Sequence, residues 1–253
     1  MEITVLGTGT SQGVPVVACN CEVCMSLDMK DKRLRTSVLI TQGQTSIAID
    51  AGPDFRQQML REHVRSLNAV VITHSHKDHI GGLDDVRAFN WVQKRAMDVF
   101  ASRQVLSVVK KEFSYAFDEE KYPGVPQLNL HTINSRPFFI NDLEVVPIRA
   151  WHYKMPVLGF RIGYFSYLTD ANYIEPREFE KMRGSKVLMI NALRKETHIS
   201  HYSLNEALAL AAELNPQKTY FTHISHQMGL YAKVQNELPD DTFLAYDGLK
   251  ISI

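Results

Sequence analysis

Short apolar runs broken by glycine and polar turns dominate the chain, and they predict strands more often than helices. Residues 2–6 read as a strand running into Gly7-Thr8-Gly9-Thr10, and Ser37–Ile40 and Ser46–Asp50 as a hairpin across Gly43. Pro53–Glu62 has a helical pattern, with Pro53 suited to a first helical position. Ala69–Ile72 is a β-branched apolar run too short for a helix and ends at Thr73-His74, as a buried strand delivering a loop would. A strand at 97–101 and a helix at 103–117 follow.

Beyond Pro123 the pattern predicts strands at Asn129–Thr132, Leu143–Ile148, Val157–Ile162 and Tyr164–Leu168, the last two reversing at Gly163. Next come a helix at 176–183, the apolar strand Val187–Ile190 and the capping box Ser203-Leu204-Asn205-Glu206, which opens a helix ending near Leu214. Thr219–Phe221 reads as a strand ending at His223, followed by a helix at 227–237 and a last hairpin around Asp247-Gly248. Two runs of strands, each mixed with helices, imply two face-to-face sheets with helices outside. No repeat, low-complexity segment or linker divides the chain, so a single domain over 1–253 is expected.

Composition adds exclusions. The 253 residues carry 28 basic and 28 acidic side chains, a formal net charge of zero. Proteins that live on bulk nucleic acid are usually basic, because phosphate neutralisation dominates such affinity, so nucleic acid is not the expected partner. No apolar run approaches the length of a membrane span, and Met1–Gly7 lacks the basic and apolar regions of a secretory signal. A cytoplasmic setting is expected. A homodimer is compatible with the sequence, which carries no direct evidence on assembly.

Chemistry concentrates in His74-Ser75-His76-Lys77-Asp78-His79. Four ligand-type side chains fall within six positions, after a buried strand and before Gly81-Gly82, where the chain is expected to turn tightly. Imidazole suits zinc and iron, and carboxylate suits harder divalent ions or a bridging role. One tetrahedral ion does not readily use four ligands so close in sequence. Two neighbouring ions do, with His74 and His76 on one and Asp78 and His79 on the other.

This H-x-H-x-D-H run resembles the signature of the metallo-β-lactamase superfamily. The resemblance implies an α/β (α+β) fold, a four-layer αβ/βα sandwich with a two-metal site at one edge of the sheets. It assigns His74, His76 and His152 to one metal, Asp78, His79 and His223 to the other, and Asp170 to both. It also makes Asp50, at the end of a strand, a residue that orients a ligating histidine through its second nitrogen. Read from the sequence alone, Asp50 could instead cap the 53–62 helix.

Cys19, Cys21 and Cys24 form an odd, tightly spaced set, poor as a disulfide framework and apt for a structural zinc. His226, three residues after His223, is the expected fourth ligand. With the Gly7–Pro15 opening and Thr-His-Ile-Ser-His-Gln, this cluster resembles the PhnP-like phosphodiesterases of bacterial phosphonate breakdown, which open five-membered cyclic phosphates of ribose. The resemblance implies a hydrolase acting on small, including cyclic, phosphodiesters through a metal-bridged hydroxide. The cofactors expected are two divalent ions, zinc or manganese, and one structural zinc. Catalysis would fall to Asp170 and to His201 as general acid before the Ser203 cap, with His198 as runner-up. A tRNA 3′-processing endonuclease and a thioester hydrolase share the motif, but no long basic insertion for tRNA is present. A metal-stabilised binding protein without catalysis is the reading from another class.

Overall fold

Alternation within Thr45–Ile49 shows how the layers arise: Ile47 and Ile49 point into a core shared by two sheets, and Ala48 points the other way, towards helices. All three are fully buried, which is why this strand reads as one apolar run. The computed structural model describes residues 1–120 and 122–253. The first sheet holds β1 (Glu2–Gly7), β2 (Ser37–Gln42), β3 (Thr45–Ile49), β4 (Ala69–Val71), β5 (Met97–Ala101) and β6 (Leu128–Thr132). The second holds β7 (Phe138–Ile140), β8 (Leu143–His152), β9 (Met155–Ile162), β10 (Phe165–Leu168), β11 (Tyr173–Ile174), β12 (Val187–Asn191), β13 (Lys218–Thr222) and β14 (Thr242–Leu244). Then β15 (Lys250–Ser252) returns to pair with β1.

The strand orders are β15-β1-β2-β3-β4-β5-β6 and β11-β8-β9-β10-β12-β13-β14, with β7 beside β8. Strands β3 to β6 run parallel, as do β10, β12, β13 and β14. Ile3, Val38 and Ile47 meet Phe160, Phe165 and Met189 between the sheets. On the outer face of the first sheet lie α2 (Phe55–Arg61), α4 (Arg87–Gln93) and α5 (Arg103–Glu112); on that of the second lie α6 (Pro176–Phe179), α7 (Leu204–Leu214) and α8 (Tyr231–Gln235). The short helices α1 (Glu22–Met25) and α3 (Lys77–Ile80) sit in the functional loops. The order of layers is helix, sheet, sheet, helix, as the sequence implied. No helix among the described residues is long and apolar enough to cross a membrane.

Several expectations change. Asp247-Gly248 does not close a hairpin: β14 pairs with β13 and β15 with β1, so the turn carries the chain from one sheet to the other. The 53–62 helix is Phe55–Arg61 with Asp54 at its N-cap position, and Pro53 precedes it. The helices placed at 103–117, 176–183 and 227–237 are each a shorter α-helix joined or preceded by a 3₁₀ turn. The Ser203 capping box forms as read, with Ser203 N donating to Glu206 Oε2 at 2.8 Å.

Candidate metal centre

Five side chains of the site leave the sheets at or just beyond the C-terminal end of a strand. Asp50 follows β3, His74 lies just beyond β4, His152 ends β8, Asp170 follows β10 and His223 follows β13. Asp50, Asp170 and His223 have φ of 67°, 56° and 55°, in the left-handed region. That conformation costs most residues about 1–2 kcal/mol and is least costly for short polar side chains. It turns the backbone sharply off the sheet and brings each side chain against the histidine cluster.

Between His74 and His79 the chain makes the single turn α3, with His76 at its N-cap position. The turn itself carries Asp78 and His79, and it brings the His79 ring to 4.1 Å from that of His74. Gly52 and Gly82 hold it down, for a different reason from the tight turn expected of the glycine pair. A Cβ on Gly82 would lie 2.0 Å from the Gly52 carbonyl oxygen, and one on Gly52 2.0 Å from that of Asp78. Close backbone approach, not a positive φ, requires glycine there.

The donor atoms converge in three overlapping groups: Asp78, His79, Asp170 and His223; His74, His76 and Asp170; and His152, Asp170 and His201. Asp170 belongs to all three. His79 Nε2 lies 3.2 Å from Asp78 Oδ2 and 3.4 Å from Asp170 Oδ1, and His223 Nδ1 lies 2.9 Å from Asp170 Oδ1. His74 Nε2 is 3.1 Å from His76 Nδ1 and 3.7 Å from Asp170 Oδ2. Although buried, His79 Nε2 and His223 Nδ1 make no hydrogen bond, because the short contacts lack its angles. Atoms ligating one tetrahedral ion at about 2.0–2.2 Å would stand roughly 3.4 Å apart, so this set fits divalent cations. The structure places His152 with its ring 5.1 Å from that of His76, and its Nδ1–H donates to Ser200 O at 2.7 Å. Its Nε2 is thereby left as the free lone pair.

Asp50 lies against His79, and Asp54 rather than Asp50 takes the N-cap position of the helix. Fully buried, Asp50 accepts His79 Nδ1–H at 2.7 Å through Oδ2 and Thr73 N–H at 2.8 Å through Oδ1. Burial pushes the Asp50 carboxyl up. Burial also opposes charge on His79, but Asp170 and Asp50 outweigh it and hold that imidazole well above its ordinary value. His74 is pushed well below its ordinary value by burial and by His79, and His76 is lowered by burial and His152. Neutral imidazoles are the ligating form.

His201 lies in the turn before α7, its ring 4.4 Å from His152 and stacked 4.8 Å from His223. Burial first, then His223, lowers its pKa to about 3, and its Nδ1 has no partner. His198 is more open, with its ring 5.3 Å from His201.

A second group lies on the far side of the His223 turn. Cys19 Sγ and Cys21 Sγ are each 3.3 Å from His226 Nδ1, and Cys24 Sγ is 3.6 Å from it. Ligands at about 2.0–2.3 Å from a tetrahedral zinc stand roughly 3.5 Å apart, so these four fit a closed structural site. Backbone bonds from Ile224 N to Thr8 O (2.8 Å) and from Thr10 N to Ile224 O (3.2 Å) tie the turn between the two groups to the first loop.

Sequence reasoning missed Thr73 and Asn191. Thr73 joins Asp50 to His74, its Oγ1 lying 2.8 Å from Asp50 Oδ2 and 3.0 Å from His74 Nδ1. Asn191 accepts from Ala171 N at 2.9 Å and donates to Ala171 O at 3.0 Å, fixing the residue after Asp170. A polar residue ending the apolar run Val187–Ile190 was the available signal.

The model of the Beta-lactamase superfamily domain matches residues 45–224. The chain belongs to this superfamily. Across its whole length it superposes on the crystal structure of a diphosphatase from the PhnP family, covering 97% of that chain with a TM-score of 0.93 and 36% identity. Its hydrolase architecture is therefore shared with a PhnP-family enzyme. The octanoyltransferase of Porphyromonas gingivalis (strain ATCC BAA-308 / W83) is 40% identical over 256 residues, which cover all of this chain but 52% of that protein. The ribonuclease Z of Nostoc sp. (strain PCC 7120 / SAG 25.82 / UTEX 2576) is 25% identical over 167 residues, covering 64% of this chain and 46% of that protein. The chain thus spans about half the length of these curated relatives. Zinc-bound PqqB from Methylobacterium extorquens shares the fold over both complete chains, at a TM-score of 0.82 and 17% identity.

Proposed function

We propose that the protein is a binuclear metal-dependent hydrolase of small phosphodiesters. The observation that carries this reading is the convergence of six ligand side chains on a seventh, the Asp170 carboxylate. His74, His76 and His152 would hold one divalent ion, zinc or manganese, and Asp78, His79 and His223 the other, with Asp170 shared. Such a pair supplies Lewis acidity at a phosphoryl oxygen and lowers the pKa of water. The PhnP-family diphosphatase, itself named for phosphate chemistry, supports this substrate class over thioesters.

The chain's own residues position and protonate. Asp50 fixes the His79 tautomer, Ser200 O fixes that of His152, and exposed His76 marks the open side of the cleft. His201 faces the same cleft as the candidate proton donor. At a pKa of about 3 it is neutral alone, and an approaching phosphoryl anion raises it towards the protonated form. As water adds to phosphorus the ester P–O bond breaks, and His201 would return a proton to the leaving oxygen. Cys19, Cys21, Cys24 and His226 would hold a structural zinc.

Metal analysis with a substrate panel tests this. We expect three metals per chain and turnover of cyclic phosphates or p-nitrophenyl phosphodiesters above that of thioesters and pre-tRNA. Metal without hydrolysis of any ester would leave a binding protein, and selective pre-tRNA cleavage would make it a processing nuclease.

A further inference from the structure

All three cysteines of the chain stand in the cluster beyond the His223 turn, and the hydrolytic chemistry leaves their reactivity without a role. Their sulfurs and one His226 nitrogen lie within 4.8 Å of one another, a set that fits one zinc. A thiol that coordinates a metal is held as its thiolate, and a thiolate is a nucleophile wherever a small oxidant can reach it. Cys21 is within reach: it is half-buried and takes the N-cap position of α1, its Sγ accepting Cys24 N–H at 3.4 Å. Cys24, one turn on, is buried, and its Sγ accepts Val16 N–H at 3.3 Å. An accessible sulfur with a second one close behind it yields a disulfide on oxidation rather than the irreversible sulfur acids.

The cluster also shares backbone with the hydrolytic centre. His223 and His226 are three residues apart, one in each set of ligands. His223 has a φ of 55°, a conformation kept only while its neighbours hold it. Strand β13 holds it from one side. From the other, Ile224 is bonded to Thr8 and Thr10, Ser225 N donates to Leu193 O at 2.9 Å, and His226 closes on the three sulfurs at 3.3–3.6 Å. Loss of zinc would free His226 and slacken the turn that carries His223.

We propose that Cys21 and Cys24 form a peroxide-sensitive pair whose oxidation releases the zinc and, through the His223–His226 turn, weakens metal binding on the His223 side of the hydrolytic centre. The proposal rests on reading both clusters as metal sites. First the Cys21 thiolate attacks hydrogen peroxide: an S–O bond forms, the O–O bond breaks and hydroxide leaves. Then the Cys24 thiolate attacks the Cys21 sulfenic sulfur: the S–S bond forms, the S–O bond breaks and a second hydroxide leaves. The two sulfurs together give up two electrons, and peroxide takes them. Cys19 and His226 remain, two ligands short of a closed zinc site.

The test uses native protein with zinc in the cysteine site and manganese in the hydrolytic centre. Hydrogen peroxide should release about one zinc per chain to a chromogenic chelator, and peptide mapping should find Cys21 joined to Cys24. Manganese titrated into the oxidised protein, with the free ion followed by its paramagnetic resonance, should show one site weakened about tenfold. Dithiothreitol with added zinc should restore that affinity. Restoration separates the thiol pair from oxidation of exposed Met25 and Met29, because methionine sulfoxide needs its own reductases. In Cys24→Ser, dimedone should label Cys21 as the trapped sulfenic acid. Zinc retained under peroxide, a disulfide that engages Cys19, or manganese affinity unchanged after zinc release overturns the proposal and leaves the hydrolase reading in place. Failure of the reduced protein to bind manganese overturns the metal reading of the hydrolytic centre and the coupling with it.

Discussion

Asp50→Asn separates an orienting role from a folding role, because it changes the hydrogen bonds at one buried oxygen, Oδ2, and almost no volume. Asp50 Oδ2 accepts His79 Nδ1–H at 2.7 Å, which leaves Nε2 free to ligate. An asparagine keeping its oxygen on Thr73 N–H must turn its NH₂ towards His79 Nδ1. The imidazole then has to move its proton to Nε2, which blocks the ligating lone pair. If the amide flips instead, its NH₂ faces Thr73 N–H, and a buried donor loses its acceptor at a cost of about 1–3 kcal/mol. Asparagine tolerates the left-handed φ of 67° at this position, so the backbone contributes little. Disturbing such an outer partner typically weakens metal binding about 10–100-fold, equivalent to about 1.4–2.7 kcal/mol.

Chelator competition should show that loss at the His79 side of the proposed two-metal centre, with the Cys19/Cys21/Cys24/His226 site unaltered. The metal-free variant should melt within about 4 °C of the metal-free parent, since 1 kcal/mol shifts a chain of this size by roughly 2–4 °C. Unchanged active-site affinity in Asp50→Asn would refute the tautomer argument. Asp50→Ala adds the unpaired Thr73 amide and a strained alanine, and should be the less stable of the two.

His201→Ala should lower kcat about 10²–10⁴-fold on an alkyl phosphodiester and much less on a p-nitrophenyl ester, whose leaving group needs no proton, while metal content holds; equal losses on both would remove it as proton donor. In metal-free protein, the Cys24 backbone N–H and His226 lower the Cys21 thiol to about 6, whereas burial raises Cys24 to about 11. Iodoacetamide should therefore label Cys21 first, at a rate rising as pH passes upward through about 6, and bound zinc should block it; mass spectrometry reads the order. Because the Cys21 pKa is depressed on folding, its contribution to stability is present above the unfolded value near 9 and is lost as pH falls through about 6. If Cys19, Cys21, Cys24 and His226 hold a zinc as proposed, stripping it should lower the melting temperature by about 5–10 °C, the linkage expected at 100-fold saturation for a chain of this length. Asn191→Ala strands both backbone groups of Ala171 and should cost about 2–4 kcal/mol together with metal affinity; a variant that melts and binds like the parent would show that Ala171 finds other partners.

The sheet interior was readable because its signal is local. Ile47, Ala48 and Ile49 alternate between two apolar layers, and Ser203 with Glu206 caps α7 within four residues. The His74–His79 run was readable for the same reason. The small helices were not: α3 forms within the ligand loop, where polar residues have no amphipathic period to display, and α4 exposes Trp91 and Val92 while burying Phe89, which blurs its apolar face. The hairpin expected at Asp247-Gly248 failed because a turn signal specifies that the chain reverses, not which strand it then joins. Asp247 explains this turn: its carboxylate accepts Thr8 Oγ1–H at 2.7 Å and Leu34 N–H at 2.8 Å, a long-range anchor invisible to local pattern.

Burial of ligands and the distances between them set what sequence can say about such a site. His74 and His223 are 149 positions apart, yet both lie against one carboxylate, and that closeness comes from packing two sheets whose strand ends share an edge. At three of those ends the backbone takes the left-handed conformation, at Asp50, Asp170 and His223, and each is a side chain that meets the cluster. A relaxed strand end would send its side chain along the sheet rather than across the cleft. The strain is held by contacts made elsewhere: Asn191 on Ala171, Thr73 on Asp50, and Thr8 on Ile224. These polar contacts, more than the apolar core, would keep the ligands gathered when no metal is bound. They leave orphaned nitrogens on His79 and His223 and like-charged carboxylates at Asp78 and Asp170, which a divalent cation relieves and a proton relieves only in part.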